Sequence, residues 1–371
     1  MTPITTTAEL AAFCDRLKGQ PFVAVDTEFM RETTYWPKLC LIQAATPTDE
    51  AVIDPMAEGM ALEPFLEIMR DETILKVFHA ARQDVEIFNN LKAMPRPLFD
   101  TQVAGMAAGF GEQIAYDALV RQMLKIELDK SSRFTDWARR PLADSQLTYA
   151  LADVTHLARL YPMLRERLEK ENRLVWVTDE MQALTDPANY DVVPENAWKR
   201  LKPRRHTAKY LAVYKAVAAW RERTAQHRDQ PRGRILKDEA IDEVATQAPT
   251  DAAALDRLRS VPKGFSGSKF GPDLLEAIRE ALKNPEAYAP VVERTKTTNS
   301  PSAGAVVELL KVLLKARAED TGVASKLIAT VSDLEMIAND DDADSPALKG
   351  WRLEAFGADA LRIKRGELAL V

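Results

Sequence analysis

The stretch Phe22–Met30, FVAVDTEFM, begins with apolar residues that suit a buried strand and then places two acids, Asp26 and Glu28, one residue apart. Alternate residues of a strand share a face, so the two carboxylates point the same way. Like charges at that distance repel unless a positive charge lies between them. The stretch therefore predicts a strand that ends either in solvent or at a bound cation.

Short β-rich runs and helical patterns alternate through the first 110 residues. The strands are predicted at residues 22–30, 38–46, 50–55 and 73–80, and the helices at residues 62–71 and 81–92. From about Asp100 to Gln182 the pattern is mainly helical. Strands with interleaved helices, followed by helices, indicate an α/β layered domain.

The remaining chain reads as two all-helical segments separated by linkers. We assign residues 1–185 to the α/β domain, residues 186–206 to a proline-containing linker or arm, and residues 207–290 to a first helical domain. A second linker over residues 295–305 overlaps the start of a second helical domain, residues 303–371. The two helical segments have a similar length and rhythm, so a diverged repeat is one interpretation.

Charge is distributed unevenly along the chain. Residues 1–198 hold 20 Lys and Arg against 31 Asp and Glu, whereas residues 199–300 hold 21 against 13, giving net charges of −11 and +8. One interpretation is an acidic part that performs chemistry and a basic part that binds a polyanion. The other is ordinary variation of surface charge between domains.

Composition is that of a soluble globular protein of two or three domains. Cys14 and Cys40 have neither metal-site nor disulfide spacing, which fits a reducing compartment. The first residues lack a signal-peptide pattern, and no apolar run reaches the length of a bilayer span. We therefore expect a cytoplasmic protein that does not associate with membranes.

Two further acids occur where packing alone does not call for them. Asp84 lies early in the helix after the strand at 73–80, and Asp153 lies in an apolar helical run four residues after Tyr149. Each acid alone is explained by a solvated helix position or a favourable helix-dipole position. Four carboxylates at strand and helix ends of one domain instead favour a divalent-metal site, because hard cations prefer oxygen ligands.

Three sequence motifs resemble those of the DEDD exonuclease superfamily. They are VDTEF at 25–29, HAARQDVEIF at 79–88 and YALADVTHL at 149–157. Tyr149 corresponds to the tyrosine of the DEDDy branch, whereas a DEDDh member would have histidine where Thr148 stands. With the run from Leu128 to Val154 and helical segments similar to HRDC domains, the resemblance covers nearly the whole chain and is greatest to the ribonuclease D family.

The resemblance implies a fold, an activity and a partner. The fold is a ribonuclease H-like mixed sheet flanked by helices, followed by two all-α HRDC-like domains. The activity is metal-dependent 3′-5′ exoribonuclease, which releases 5′-mononucleotides and trims tRNA precursors and other stable RNAs. The partner is RNA with a single-stranded 3′ end, bound by a monomer.

The resemblance also assigns the catalytic residues, which would act through two divalent ions, Mg²⁺ or Mn²⁺. Asp26 would bridge both ions, and Glu28 and Asp153 would complete the first ion's site. Asp84 would support the second ion through waters, and Tyr149 would orient the attacking water. Two cations would then be the positive charge that the acids of the opening strand require.

Substrate contacts are predicted from position and residue type. The candidates are Phe29, Met30, Arg31, Arg140, Arg204 and Arg205. Tyr35 and Trp36 follow the first group, and we interpret Trp36 as a core residue. Arg140 either reaches a phosphate or pairs with a nearby acid. The basic residues of the first helical domain, interleaved with aromatics, are typical of a surface that follows a nucleic-acid backbone.

Several other features receive structural interpretations. His79 is interpreted as a packing or orienting residue, Asp100 as a helix N-cap, and Gly264–Gly271 as a turn between helices. Two alternative functions stay open. One is a 3′-5′ DNA exonuclease, because the residues do not distinguish RNA from DNA, and the other is a catalytically inert nucleic-acid-binding protein. The absence of a phosphate-loop motif excludes a helicase.

Overall fold

The computed structural model describes residues 2–129, 132, 135–291 and 301–369. The chain forms two compact units, which we call the first and the second unit. The first consists of Met1–Glu28, Leu39–Asn189 and Thr295–Val371, and the second of Phe29–Lys38 and Tyr190–Arg294. Among the described residues, no helix is both long and apolar enough to cross a membrane.

A five-stranded mixed sheet forms the centre of the first unit. Its strands are β1 Phe22–Met30, β2 Lys38–Ala45, β3 Glu50–Ile53, β4 Leu75–Phe78 and β5 Leu98–Asp100, in the order β3-β2-β1-β4-β5. β1 and β5 both run parallel to β4, whereas β2 and β3 are antiparallel. The four predicted strands are confirmed, and β5 was not predicted.

Helices surround this sheet in the first unit. They are α1 Thr7–Leu17, α2 Glu63–Arg70, α3 Arg82–Asn90, α4 Thr101–Ala107, α5 Tyr116–Leu124, α6 Asp144–Lys170 and α7 Leu174–Leu184. The apolar start of β1 is fully buried among them, as its sequence predicts. Asp100 caps α4 by accepting a hydrogen bond from the Gln102 N–H at 2.8 Å, so its predicted N-cap role is confirmed.

The second unit is helical. Its helices are α8 Ala208–Arg228, α9 Arg232–Ile235, α10 Asp238–Gln247, α11 Ala252–Asp256, α12 Gly271–Lys283 and α13 Pro285–Tyr288. The predicted turn at Gly264–Gly271 is confirmed, and it ends at the start of α12. A Cβ on Gly271 would lie 2.2 Å from the carbonyl oxygen of Ser266, so only glycine fits there.

The C-terminal helices belong to the first unit. They are α14 Pro301–Thr321, α15 Ser325–Ile328, α16 Val331–Asn339, α17 Gly350–Arg352 and α18 Ala358–Lys364, with a π-helical turn at Leu353–Gly357. The Trp351 ring stacks on Trp176 of α7 at 4.5 Å between centroids, and the Ala324 N–H donates to the Met106 carbonyl at 3.0 Å. The predicted second linker falls largely on residues 292–300, outside the described residues, and α14 begins at Pro301.

Candidate active site

Three carboxylates converge at the end of β1. Asp26 and Glu28 leave the same face of the strand, and Asp153 comes from α6, which packs beside the sheet. One carboxylate oxygen from each residue lies within 4.8 Å of the other two, and all three residues are half-buried. Oxygen atoms grouped in this way are a donor set that suits a hard divalent cation.

Two acids at this site, Asp26 and Asp84, have raised pKa values. Burial raises the pKa of Asp26 to about 7, because desolvation disfavours the carboxylate. Burial also raises the pKa of Asp84 well above its ordinary value, and the charge of Asp26 adds to that effect. Within the described part of the chain, neither acid forms an ion pair with Lys, Arg or His. A bound cation would favour the ionised form of both.

Asp84 lies beside this cluster without belonging to the group of three. It occupies the first turn of α3, is 6% exposed, and accepts a hydrogen bond from the Thr27 hydroxyl at 2.5 Å. Thr27 stands between Asp26 and Glu28 on β1. The sequence-predicted role of Asp84, to support an ion through waters rather than to bind it directly, stays a prediction.

Tyr149 precedes Asp153 by one turn of α6, so both side chains lie on one helix face. The residue is half-buried, and its ring centroid lies 6.2 Å from that of Trp137, which is buried. This packing restrains the orientation of the Tyr149 ring. The predicted water-orienting role of its hydroxyl stays a prediction.

Sequence reasoning missed Tyr116, which contacts the site from α5. Its hydroxyl donates to the backbone carbonyl of Asp153. Burial raises the pKa of Tyr116 well above its ordinary value, and the charges of Asp153 and Asp26 raise it further. Tyr116 thus helps to hold α6 where Asp153 leaves it. No spacing rule connects a residue at the start of α5 with the third motif, so no local signal could have identified it.

His79 packs against Tyr116, with ring centroids 5.3 Å apart. Its Nδ1 lies 3.0 Å from the Thr101 hydroxyl and its Nε2 lies 3.1 Å from the Ile114 carbonyl. Both ring nitrogens therefore have protein partners. The interpretation of His79 as a packing or orienting residue is confirmed.

Arg140 requires a correction. Its Nε and Nη2 bind both carboxylate oxygens of Asp54, at 2.6 and 2.7 Å. Its remaining N–H groups donate to the carbonyls of Trp137, Arg139 and Cys40. All five donors of the guanidinium are used, so none is left for a phosphate. Pairing with an acid is the interpretation that the structure supports, and we withdraw Arg140 as a substrate contact.

The other predicted substrate contacts occupy varied surroundings. Phe29 and Met30 are half-buried at the end of β1, and Arg31 is exposed. The Arg204 side chain is 77% exposed and lies 3.9 Å from Asp242, and Arg205 is exposed. Tyr35 is buried in the apolar core of the second unit. Trp36 packs against the same core, which confirms its interpretation as a core residue.

Comparisons with known families and proteins agree with the motifs. The 3′-5′ exonuclease family matches residues 1–169, and the HRDC domain family matches residues 210–278. Ribonuclease D of Nitrobacter hamburgensis is 52% identical over 371 residues, which cover 100% of this chain and 97% of that protein. Ribonuclease D of Acidiphilium cryptum is 50% identical over 368 residues, which cover 99% and 94% of the two chains.

Solved structures show the same similarity. Escherichia coli RNase D, described as an exoribonuclease involved in structured RNA processing, superposes with a TM-score of 0.85 at 29% identity, covering 100% of both chains. The catalytic core of RRP6 from Trypanosoma brucei superposes with a TM-score of 0.55 at 22% identity, covering 76% of this chain and 79% of that one. The second match shows a shared fold.

Proposed function

The chain belongs to the ribonuclease D family and is a metal-dependent 3′-5′ exoribonuclease, and from this premise we propose which residues perform the reaction and on which RNAs. The observation that carries the proposal is the convergence of Asp26, Glu28 and Asp153. These three carboxylates would hold one divalent cation, and Asp26 would also contribute to a second. Asp84 would support that second cation through waters.

When bound, divalent cations such as Mg²⁺ or Mn²⁺ lower the pKa of an attacking water and neutralise charge on the phosphodiester. The chain's own residues would then position the attacking water. The Tyr149 hydroxyl would form a hydrogen bond with the attacking water and hold that water in line with the leaving oxygen. In this proposal Tyr149 orients the water and does not remove its proton, because the cations already lower the pKa of that water. The products would be 5′-mononucleotides.

The substrate would be RNA with a single-stranded 3′ end. Phe29, Met30 and Arg31 follow the metal-binding acids directly and would contact the last nucleotides by stacking and by charge. Arg204 and Arg205 lie in the part of the chain with a net charge of +8 and would bind backbone phosphates farther along the strand. Because E. coli RNase D is described as processing structured RNA, we propose tRNA precursors and other stable RNAs as substrates, acted on by a cytoplasmic monomer.

A cleavage assay tests this proposal. RNA and DNA oligonucleotides of matched sequence, labelled at the 5′ end, are incubated with Mg²⁺, Mn²⁺ or EDTA, and products are resolved at single-nucleotide steps. We expect a descending ladder on RNA with either metal, weak cleavage of DNA, and no products with EDTA or a blocked 3′ end. Equal cleavage of DNA would contradict the RNA preference. Binding without any ladder would indicate an inert binding protein.

A further inference from the structure

The segment Phe29–Lys38 joins the candidate metal site to the helical second unit. Asp26 and Glu28 belong to the first unit, whereas the residues that follow them belong to the second. β1 ends at Met30, so only residues 31–34 separate the strand from Tyr35. The segment that contains Tyr35 therefore continues directly from the end of the strand that bears Asp26 and Glu28.

Asp229 fixes the backbone of this segment. It ends α8 in a left-handed conformation with φ 47° and ψ 51°. Its Oδ1 accepts the backbone N–H groups of Tyr35 at 3.0 Å and of Trp36 at 2.9 Å. The Thr34 hydroxyl donates to the Trp36 carbonyl at 2.7 Å, which closes the turn. One side-chain oxygen of the second unit therefore holds two consecutive amides of the segment.

The Tyr35 side chain adds a buried network to this attachment. It is 5% exposed, and its hydroxyl donates to Glu222 and accepts from Arg232 at 2.9 Å and from Gln226 at 3.2 Å. The Arg232 guanidinium also lies over the Tyr35 ring, 4.7 Å from its centroid. Several hydrogen bonds thus join Tyr35, Glu222 and Arg232, and a polar network of this kind favours one arrangement of its members.

We propose that Asp229 and Tyr35 are positioning residues for the catalytic strand. By anchoring residues 29–38, they hold the Asp26 and Glu28 carboxylates in the arrangement that turnover needs. The HRDC-containing unit thus contributes to kcat, in addition to any RNA affinity that its basic residues provide. The inference rests on the proposed metal-binding roles of Asp26 and Glu28. Misplacement of a catalytic group by about 1 Å can lower turnover on the order of 100-fold.

Two substitutions at one position test the proposal in the full-length protein. Asp229→Gly removes the acceptor, while glycine tolerates the left-handed backbone of the helix end. Asp229→Asn keeps a side-chain oxygen in the same place and serves as the matched control. The substrate is an RNA trinucleotide, which offers few phosphates beyond the scissile bond. At saturating Mg²⁺ we expect Asp229→Gly to lower kcat about tenfold with KM changed less than twofold, and Asp229→Asn to stay within twofold of the parent.

Other outcomes would contradict the positioning role of Asp229. If Asp229→Gly leaves kcat on the trinucleotide unaltered and raises only the KM for long RNA, the second unit acts through affinity and the proposal is wrong. Should circular dichroism show that Asp229→Gly is unfolded, Tyr35→Phe replaces it with the same two expected outcomes. Glu28→Gln is assayed in parallel. An active Glu28→Gln would overturn the metal assignment, whereas an inactive one beside an unaltered Asp229→Gly overturns only this inference.

Discussion

Two buried carboxylates of this chain, Glu222 and Asp84, have pKa values that are shifted in opposite directions. Glu222 in the second unit is 1% exposed and bonds Arg232 through both oxygens, with Tyr35 as a further donor. Burial alone would raise the pKa of Glu222, but these partners lower it below its ordinary value. Asp84 in the first unit is 6% exposed, and burial together with Asp26 raises its pKa well above its ordinary value.

The difference separates a structural charge from a functional one. A buried acid that the protein compensates fixes local structure, as Glu222 fixes Tyr35. A buried acid that the protein leaves uncompensated costs stability, and such groups concentrate where a ligand supplies the missing charge. The same contrast divides the arginines, because Asp54 compensates Arg140 whereas Arg204 and Arg205 remain exposed.

The largest expected effect concerns the candidate metal site of Asp26, Glu28 and Asp153. Asp153→Asn removes a carboxylate oxygen from the candidate metal site while preserving the size of the side chain and the helix. We therefore expect kcat to fall by about 10³-fold or more, which corresponds to a loss of several kcal/mol of transition-state stabilisation. Gel-shift binding of RNA should change little. Asp144→Asn, an exposed position in the first turn of the same helix, is the control. Retained activity in Asp153→Asn would contradict the assignment.

Stability should respond in opposite directions at the two buried acids. Glu222→Gln removes the charge that Arg232 and Tyr35 require, so we expect the free energy of unfolding to fall by about 1–3 kcal/mol. Asp84→Asn removes an uncompensated charge and keeps an acceptor for Thr27, so the metal-free protein should gain about 1 kcal/mol. Urea unfolding in EDTA measures both. A destabilised Asp84→Asn would show that the protein itself compensates Asp84.

The stability of the metal-free protein should also depend on pH through Asp26. Its pKa is about 7 when folded against an ordinary 3.8, so between these values the folded state binds more protons than the unfolded state. The free energy of unfolding must therefore fall as pH rises from about 4 to about 7, by at most about 1.4 kcal/mol per pH unit for one proton. Thermal unfolding in EDTA should show a shallower slope in Asp26→Asn. An equal slope in both proteins would assign the effect to other groups.

The sequence predicted what depends on local pattern. Strands β1 to β4 and the cap at Asp100 follow from alternation, burial and cap chemistry, and the metal cluster follows from acids at element ends together with the motif resemblance. β5 was missed because it has only three residues, follows a proline and ends at the N-cap residue of α4. Tyr116 and the attachment of Tyr35 to Asp229 were missed because they depend on long-range contacts.

Arg140 illustrates the same limit on sequence reasoning. Pairing with an acid was one of two interpretations, but its partner Asp54 lies 86 positions away in sequence. The position of a residue beside a catalytic motif does not reveal whether a distant acid has already engaged it. Only the folded arrangement of donors and acceptors decides between a structural and a ligand-binding arginine.

The smallest expected effect separates the two kinds of arginine. The double variant Arg204→Gln with Arg205→Gln should raise the KM for long RNA several-fold. It should also lower the magnitude of the slope of log affinity against log salt by about 1.4, since each contact to a single-strand phosphate contributes about 0.7. Arg140→Lys cannot keep the bidentate pair with Asp54, so it should lower stability by about 1–2 kcal/mol and leave the salt dependence unaltered. Titrations from 50 to 200 mM salt measure the slopes. An unaltered slope in the double variant would mean that Arg204 and Arg205 are solvated surface charges, and the polyanion-binding interpretation of the basic region would then depend on its remaining cations.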